Sequence, residues 1–349
     1  MDDQRQKHTI LPGFVDLHVH FREPGFSTKE TIATGSRAAR RGGYIAVVTM
    51  PNLKPAPDSL PNLQLQLDLI KQHAQLPVVP AGSITVGQAG AGELSDMRAM
   101  APYVCGFSDD GVGVQDGALM KAAMLLAKAH EKPIIAHCED NTLPGTANES
   151  EWRPLARDLE LAGQTGCHYH VCHVSTKESV ALIRQAKKDG ILVSAETAPH
   201  YLVLCNEDVA DDGRFKMNPP LRSREDRNAL LAGLLDGTID CVATDHAPHT
   251  AEEKSKGMAG SAFGIVGLET AFPVLYTRLV REGVMTLDQL VDVMAHKPRH
   301  LLERWTGRAF TGNCAWDLER SYVIDPDKFH SMGRATPFAG WEVFGTCET

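Results

Sequence analysis

The residues best suited to chemistry are histidines and aspartates that follow short apolar segments of the chain. His18 and His20 end the segment FVDLHVH at 14–20, and residues two apart along a β-strand point to the same side. Two such imidazoles can bind a metal ion, although alone this pattern also fits hydrogen-bonded core histidines. Polar residues end further apolar segments at Asp109, Asp110, His137, His173 and Asp245. Taken together, these residues predict a metal enzyme.

For two pairs of these polar residues, the sequence allows more than one interpretation of which residue belongs to the site. The adjacent aspartates Asp109 and Asp110 could equally form a turn, since aspartate accepts hydrogen bonds from nearby backbone N–H groups. In the segment HYHVCH, His170 and His173 lie on opposite faces of a strand, so they cannot both point to one site. We favour His173 as a ligand because it is nearest the strand end, and we expect His170 to be a packed residue.

Short strand-like segments alternate with helical ones along most of the chain. We predict strands near residues 14–20, 44–50, 77–83, 103–108, 133–138, 168–174, 191–197 and 239–245. We predict helices at 28–41 with Ser27 as N-cap, at 116–130, at 177–189 capped by Ser175 or Thr176, at 268–282 and at 286–296. Eightfold alternation indicates an α/β fold of the (β/α)8 type, in which active residues occupy the C-terminal face of the strands.

The alternative fold is a doubly wound open sheet. Such a sheet would normally carry a glycine-rich phosphate loop after an early strand, and Gly111-Val112-Gly113 is too short to be one. After about residue 303 the pattern changes, and 314–325 and 341–349 are predicted as strands of a small β appendage.

Composition limits the classes of function. The 349-residue chain has 43% hydrophobic residues, 23% charged residues and a net charge of −9, which argues against nucleic-acid binding. No segment approaches the roughly 18 apolar residues of a membrane span, and the polar segment 1–9 lacks the apolar centre of a signal peptide. The eight scattered cysteines are typical of a reduced, cytoplasmic protein.

Several motifs resemble those of class I bacterial dihydroorotases in the amidohydrolase superfamily. These are LPGFVDLHVHFREPG, TMPNLKP, FSDDGVGVQ, IIAHCEDN, YHVCHVSTKES, FKMNPPLRS and ATDHAPHTAEEK, and the likeness extends from 11 to 302. The resemblance implies a distorted (β/α)8 barrel as the catalytic domain at 11–302, with a small β-sandwich appendage to which 1–10 and 303–349 contribute incompletely. It implies reversible cyclisation of N-carbamoyl-L-aspartate to L-dihydroorotate in pyrimidine biosynthesis.

The resemblance also implies roles for individual residues. One zinc ion would be held by His18, His20, Asp110 and Asp245, and a second by Asp110, His137 and His173. A hydroxide bridging the two ions would attack the ring carbonyl, with Asp245 as the general acid and base. Substrate would be bound by Arg22, Asn52 and His249 at its carboxylate, by Asn218, and by Phe263 and Gly264 over the ring.

One departure from related enzymes concerns the bridging ligand. Many relatives in the superfamily bridge their metals with a carboxylated lysine on the fourth strand, but residues 103–110 contain no lysine. We therefore expect one or two zinc ions per chain and a plain carboxylate bridge. This feature also distinguishes the chain from hydantoinases and allantoinases.

Partners and competing functions follow from the same resemblance. We expect a homodimer and an association with aspartate carbamoyltransferase. The alternatives are an amidase acting on another cyclic ureide, and a non-enzymatic scaffold that would have lost its metal ligands. The segment before Leu11 and the stretches 141–152 and 305–316 are shorter than the family pattern, which predicts that residues are missing there.

Overall fold

Parallel strands and helices alternate along most of the computed structural model, which describes residues 8–348. The parallel strands are β2 (Phe14–Val19), β3 (Tyr44–Thr49), β4 (Val78–Pro80), β5 (Gly82–Ser83), β6 (Phe107–Ser108), β7 (Ile134–Ala136), β8 (Tyr169–Val171), β9 (Val193–Thr197) and β10 (Cys241–Val242). The longer helices are α1 (Ile32–Arg41), α2 (Leu60–His73), α4 (Gly117–Ala129), α5 (Glu149–Thr165), α6 (Lys177–Lys188), α8 (Arg224–Leu235) and α13 (Lys297–Thr306). Shorter helices are α3 (Met97–Met100), α7 (Pro199–Val203), α9 (Ala251–Lys254), α10 (Gly257–Gly260), α11 (Ala271–Leu275) and α12 (Leu287–Val291).

The parallel strands form two sheets with the orders β2-β3-β4 and β10-β9-β8-β7-β6-β5. The predicted strand at 77–83 is therefore interrupted, because β4 and β5 are separated by Ala81 and belong to different sheets. At the other end, Val19 forms a parallel bridge with His246. The backbone thus connects the two sheets at residue 81 and pairs them again at residues 19 and 246.

A buried carboxylate joins the first and last parallel strands. Both oxygens of Asp16 accept hydrogen bonds from the backbone N–H of Thr244, at 3.1 and 3.2 Å, and one accepts from its hydroxyl at 2.7 Å. His20 donates its backbone N–H to the carbonyl of His246 at 2.8 Å. These contacts fix the end of β2 beside the segment that carries Asp245.

Three antiparallel strands form a separate sheet from both ends of the chain. β11 (Asn313–Val323) lies between β1 (Thr9–Pro12) and β12 (Glu342–Glu348). Trp316 anchors this sheet to the main core, with its ring centroid 4.3 Å from that of Phe272 and 5.7 Å from that of Phe14. Residues 1–7 and 349 of the predicted appendage lie outside the described residues.

Several predicted helix bounds were wrong. The helix expected from residue 28 with Ser27 as its cap begins at Ile32, because Thr31 and Thr34 form a reciprocal capping box. Of the two caps expected for α6, Ser175 and Thr176, the structure confirms Thr176. The helix predicted at 268–282 begins only at Ala271 and becomes π-helical over Tyr276–Val280. Likewise, α12 continues as a π-helix over Asp292–His296 and then as α13, so helical structure extends past 296 to Thr306.

Within the part of the chain that the structure describes, no helix is long and apolar enough to span a bilayer.

Candidate active site

A cleft of about 150 Å³ opens at the C-terminal ends of the parallel strands. Ten of the twelve residues predicted for the site line it, namely His20, Arg22, Asn52, Asp110, His137, His173, Asn218, Asp245, Phe263 and Gly264. The other two adjoin the cleft: His18 lies buried beneath it, and His249 contacts Arg22. The structure therefore brings together residues that are up to 246 positions apart in the chain numbering, from His18 to Gly264.

Asp110 lies at the centre of the histidine cluster. Its Oδ1 atom is 3.3 Å from His18 Nε2, 3.5 Å from His173 Nε2 and 3.7 Å from His137 Nδ1. Its Oδ2 atom is 3.6 Å from His20 Nε2. One carboxylate thus faces imidazoles from three strand ends, three of them through Oδ1 and one through Oδ2, and is placed to act as a metal ligand.

The neighbouring Asp109 points elsewhere. Its oxygens accept hydrogen bonds from the backbone N–H groups of Ile84, Thr85 and Gly90 and from the Thr85 hydroxyl. This carboxylate therefore holds the loop after β5 in place. Each of the two interpretations left open by the sequence therefore applies to one aspartate. Asp109 accepts backbone hydrogen bonds in a turn, and Asp110 faces the cleft.

The buried donor atoms fit a divalent cation. His18 Nε2 and Asp110 Oδ1 are both buried without a hydrogen-bond partner, which is costly unless another group satisfies them. Groups able to hold one ion are His18 with Asp110 and His173, and His18 with His20 and Asp245. Burial acts to lower the pKa of His18, but the charge of Asp110, together with Cys172 and the hydrogen bonds to both residues, raises this pKa well above its usual value. A cation bound here would displace that proton.

Asp245 follows β10 and reaches the same cluster. Its Oδ1 atom is 3.1 Å from His20 Nε2 and 3.6 Å from His18 Nε2. Burial acts to raise the pKa of Asp245, but the hydrogen bond to His20 and the charges of the nearby histidines lower it to about 2. The carboxyl group is therefore ionised and can act as a ligand or as a proton acceptor.

Backbone strain is concentrated at the site. Five non-glycine residues between 8 and 348 have a positive φ, and three of them are Arg22 at 57°, His173 at 33° and Asp245 at 49°. A left-handed backbone is uncommon for residues with a side chain, and it persists where the surrounding structure enforces it. These three residues are each predicted to touch metal or substrate.

A cationic corner lies at one side of the cleft. The guanidinium of Arg22 donates through Nε to the Pro248 carbonyl at 3.3 Å, and its Nη2 atom is 3.3 Å from His249 Nε2. His249 Nε2 lies 2.7 Å from the carbonyl of Phe263, while Lys29 Nζ is 3.3 Å from His249 Nδ1. His249 thus donates to Phe263 through Nε2 and accepts from Lys29, so its Nε2 atom does not accept from Arg22, whose side chain lines the cleft.

The remaining predicted substrate contacts line the rim. Asn52 donates to the Asp110 carbonyl at 2.8 Å, and its own Oδ1 atom has no partner. The exposed Phe263 is followed by Gly264, whose φ of 130° and distance of 2.6 Å from a Cβ position to the Ala247 carbonyl leave no room for a side chain. These residues supply polar atoms and an apolar ring at the cleft opening.

Three contributors to the site were missed by the sequence analysis. Glu139 bridges His137 and Asn218 at 2.7 and 2.9 Å, and its position two residues after His137 could have indicated it. Glu196 lies 2.9 Å behind His18, and a carboxylate inside the apolar strand β9 was an available signal. For Lys29 the sequence offered no comparable signal.

Comparison with known proteins identifies the family. The family model described as "Dihydro-orotase-like" matches residues 7–153. A dihydroorotase of Geobacillus sp. (strain WCH70) is 50% identical, covering 97% of this chain and 85% of the relative. A dihydroorotase of Bacillus caldolyticus is 51% identical, covering 95% and 83%.

Solved structures show the same fold. An L-hydantoinase (dihydropyrimidinase) from Arthrobacter aurescens matches with a TM-score of 0.85 at 24% identity, covering 97% of this chain and 83% of that one. The inactive dihydroorotase-like domain of a CAD-like multifunctional protein from Chaetomium thermophilum matches with a TM-score of 0.74 at 20% identity, covering 97% and 91%. With half of its residues identical to those of curated dihydroorotases over nearly its whole length, the chain belongs to the dihydroorotase family.

Proposed function

We propose that this chain is a zinc-dependent hydrolase of the cyclic-amide class, catalysing the reversible cyclisation of N-carbamoyl-L-aspartate to L-dihydroorotate in pyrimidine biosynthesis. The observation that carries the proposal is the position of Asp110 among the imidazoles of His18, His137 and His173, in the same cleft as Arg22. The dihydroorotase family of the chain supplies the reaction.

Two metal positions are proposed around Asp110. His18, His20, Asp110 and Asp245 would hold one zinc ion, and Asp110, His137 and His173 the other. Imidazole nitrogens and carboxylate oxygens are the donors that zinc takes in catalytic sites, and the bridge would be the plain carboxylate of Asp110. When bound, zinc acts as a Lewis acid that polarises a carbonyl group and makes bound water more acidic.

Asp245 is the proposed general acid and base. In hydrolysis it accepts the proton of the attacking water and delivers it to the leaving ring nitrogen, and in cyclisation it removes the proton from the carbamoyl nitrogen. His20 Nε2 lies 3.1 Å from the carboxylate, so both groups face the same proposed zinc position. The Asp16 contacts to Thr244 keep the adjacent backbone fixed.

The cationic corner is the proposed site for the substrate carboxylate. Arg22 offers a planar fork suited to a carboxylate, with Asn52 and His249 beside it and Asn218 as a further contact. Phe263 and Gly264 would cover the ring. A hydantoin ring has no carboxylate, so this corner favours dihydroorotate.

Replacing Arg22 with alanine should raise the KM for dihydroorotate by about ten- to a hundredfold, because a charge-assisted bond to the carboxylate is lost. The zinc content should not change, since Arg22 contacts none of the proposed ligands through a hydrogen bond. Steady-state kinetics and elemental analysis measure the two quantities. Arg184→Ala, which breaks an exposed pair with Asp236, is the control; loss of zinc in Arg22→Ala would make Arg22 structural instead.

The overall architecture is also part of the proposal. We interpret the two parallel sheets, joined at residue 81 and by the Val19–His246 bridge, as one distorted (β/α)8 barrel of the amidohydrolase superfamily in a class I dihydroorotase. The barrel would span 11–302, except that Leu11 and Pro12 of β1 belong with the antiparallel sheet of the β appendage. Cytoplasmic location, a homodimer and association with aspartate carbamoyltransferase remain proposals, and sizing of the two proteins together tests the last two.

The substrate assignment can be tested with a panel of ring compounds. The purified protein is assayed for ring opening of L-dihydroorotate, hydantoin and allantoin under the same conditions. We expect turnover of dihydroorotate alone. Turnover of hydantoin or allantoin without dihydroorotate would identify another cyclic amidase, and a protein that opens no ring and binds no zinc would be a scaffold.

A further inference from the structure

A buried hydrogen-bond chain leads away from the cleft, starting at His18. His18 Nδ1 lies 2.9 Å from Glu196 Oε1, and the other oxygen of Glu196 lies 3.2 Å from His170 Nε2. His18 and His170 are fully buried, and Glu196 is 1% exposed. A carboxylate placed this deeply without water must be satisfied by protein donors, and here both its oxygens face imidazole nitrogens.

The hydrogen-bond chain continues from His170 to the helix α13. His170 Nδ1 and His168 Nε2 are each 2.8 Å from the hydroxyl oxygen of Ser194. The indole Nε1 of Trp305 then donates to His168 Nδ1 at 3.1 Å. Five side chains thus connect α13 to His18 through the interior of the parallel sheet.

Between neutral imidazole rings, the two ends of this hydrogen-bond chain fix the direction of every bond in it. An indole N–H can only donate, and an ionised carboxylate can only accept. Trp305 therefore makes His168 Nδ1 an acceptor, so His168 donates through Nε2 to Ser194. Burial lowers the pKa of His168 to about 3, which keeps its ring neutral as this requires.

The hydrogen-bond directions between Ser194 and Glu196 follow from the donor at His168. The Ser194 hydroxyl has accepted from His168 and is free to donate to His170 Nδ1, so His170 donates through Nε2 to Glu196. At the other carboxylate oxygen, His18 must donate through Nδ1. Metal binding through His18 requires its neutral ring, and in that form the proton on Nδ1 leaves the lone pair on Nε2, which lies 3.3 Å from Asp110 and 3.6 Å from Asp245 and has no hydrogen-bond partner.

We infer that Glu196 is a positioning residue that holds His18 as the Nδ1–H tautomer with Nε2 directed at the metal site, and that the chain from Trp305 keeps Glu196 oriented for this task. Carboxylates behind metal-binding histidines commonly fix the tautomer and ring orientation in this way. The inference rests on the proposed metal site.

Glu196 is a positioning residue here rather than a ligand. It forms a candidate ligand group with His18 and Cys172, but both of its oxygens already accept from imidazole N–H groups. An ion in that group would have to replace the hydrogen bond from His18 Nδ1. The geometry therefore favours metal on the Nε2 side of His18 alone.

Glu196→Gln is the sharpest test, because it keeps the shape of the side chain and replaces one acceptor oxygen with a donor. The amide must oppose either His18 or His170, so one imidazole has to change tautomer or lose its bond. We expect zinc to bind the apoprotein about 10- to 100-fold more weakly, measured by competition with a chromophoric chelator. Asp158→Asn is the matched control: Asp158 is also buried at 2% exposure but bonds Tyr169 and Arg157, and its zinc affinity should stay within about twofold of wild type.

The protonated nitrogen of each histidine ring can be identified in the wild-type protein, so this second test does not require a variant that folds. In the zinc-loaded protein labelled with 15N-histidine, long-range 1H–15N spectra should show His18 protonated at Nδ1, and both His168 and His170 protonated at Nε2. Signals with His170 protonated at Nδ1 would overturn the direction of the chain. Wild-type zinc affinity in a folded Glu196→Gln variant would overturn the positioning role alone, whereas failure of the wild-type apoprotein to bind zinc would overturn the proposed metal site itself.

Discussion

Replacing Asp110 with alanine should remove at least one zinc ion and lower the turnover of dihydroorotate by at least about a hundredfold. The reason is that Asp110 belongs to both proposed ligand sets and lies within 3.7 Å of four imidazoles. Without this carboxylate, the four imidazoles would lose the negative charge that favours a cation between them. Elemental analysis of the purified variant, together with the ring-opening assay, measures the effect.

Asp109→Asn is the matched comparison for that experiment. This neighbouring carboxylate accepts from Ile84, Thr85 and Gly90, so an amide should lower the free energy of unfolding by about 1–3 kcal/mol while leaving the zinc content unchanged. A full zinc complement in Asp110→Ala, with loss in Asp109→Asn, would reverse the roles assigned to the two residues.

Asp245→Asn should lower kcat by about 10²- to 10⁴-fold, the range expected for loss of a general acid and base. An amide at this position cannot accept and deliver the proton, although its oxygen can still face the metal site. We therefore expect most of the zinc to remain bound, and the KM to change far less than kcat.

The control for Asp245 lies on the same segment of the chain. Asp240, at the start of that segment, pairs with Lys187 at 2.8 Å and contacts no residue of the cleft. Asp240→Asn should therefore keep kcat within about twofold of wild type. If Asp245→Asn were as active as this control, Asp245 would have no part in proton transfer.

Residues at strand ends were predictable because two local rules act together there. Alternation of side chains along a strand placed His18 and His20 on one side, and the parallel arrangement gathers the C-terminal ends of strands at one edge. The structure puts His173 in the cleft and His170 in the buried hydrogen-bond chain. Because β8 ends at Val171 and His173 has a φ of 33°, strand parity does not extend to His173, and its position nearest the strand end was the useful signal. Roles for Arg22, in contrast, came from the family resemblance.

Other features depend on contacts that the local sequence does not reveal. The start of α1 is set by the capping box of Thr31 and Thr34, which competed with a plausible cap at Ser27. The break in the strand at 77–83 depends on which neighbour each half pairs with. The role of Glu196 depends on its contact with His18, which lies 178 positions earlier in the chain. The sequence shows an unusual carboxylate in an apolar strand but does not show which residue it contacts.

The most direct test of the central claim is to measure zinc content and dihydroorotate turnover on one sample, before and after removal of metal with a chelator. We predict one to two zinc ions per chain with ring-opening activity, loss of both on chelation, and recovery of both when zinc is restored. Ring opening that persists in metal-free protein would contradict the account, as would a protein that neither contains zinc nor regains activity when zinc is added.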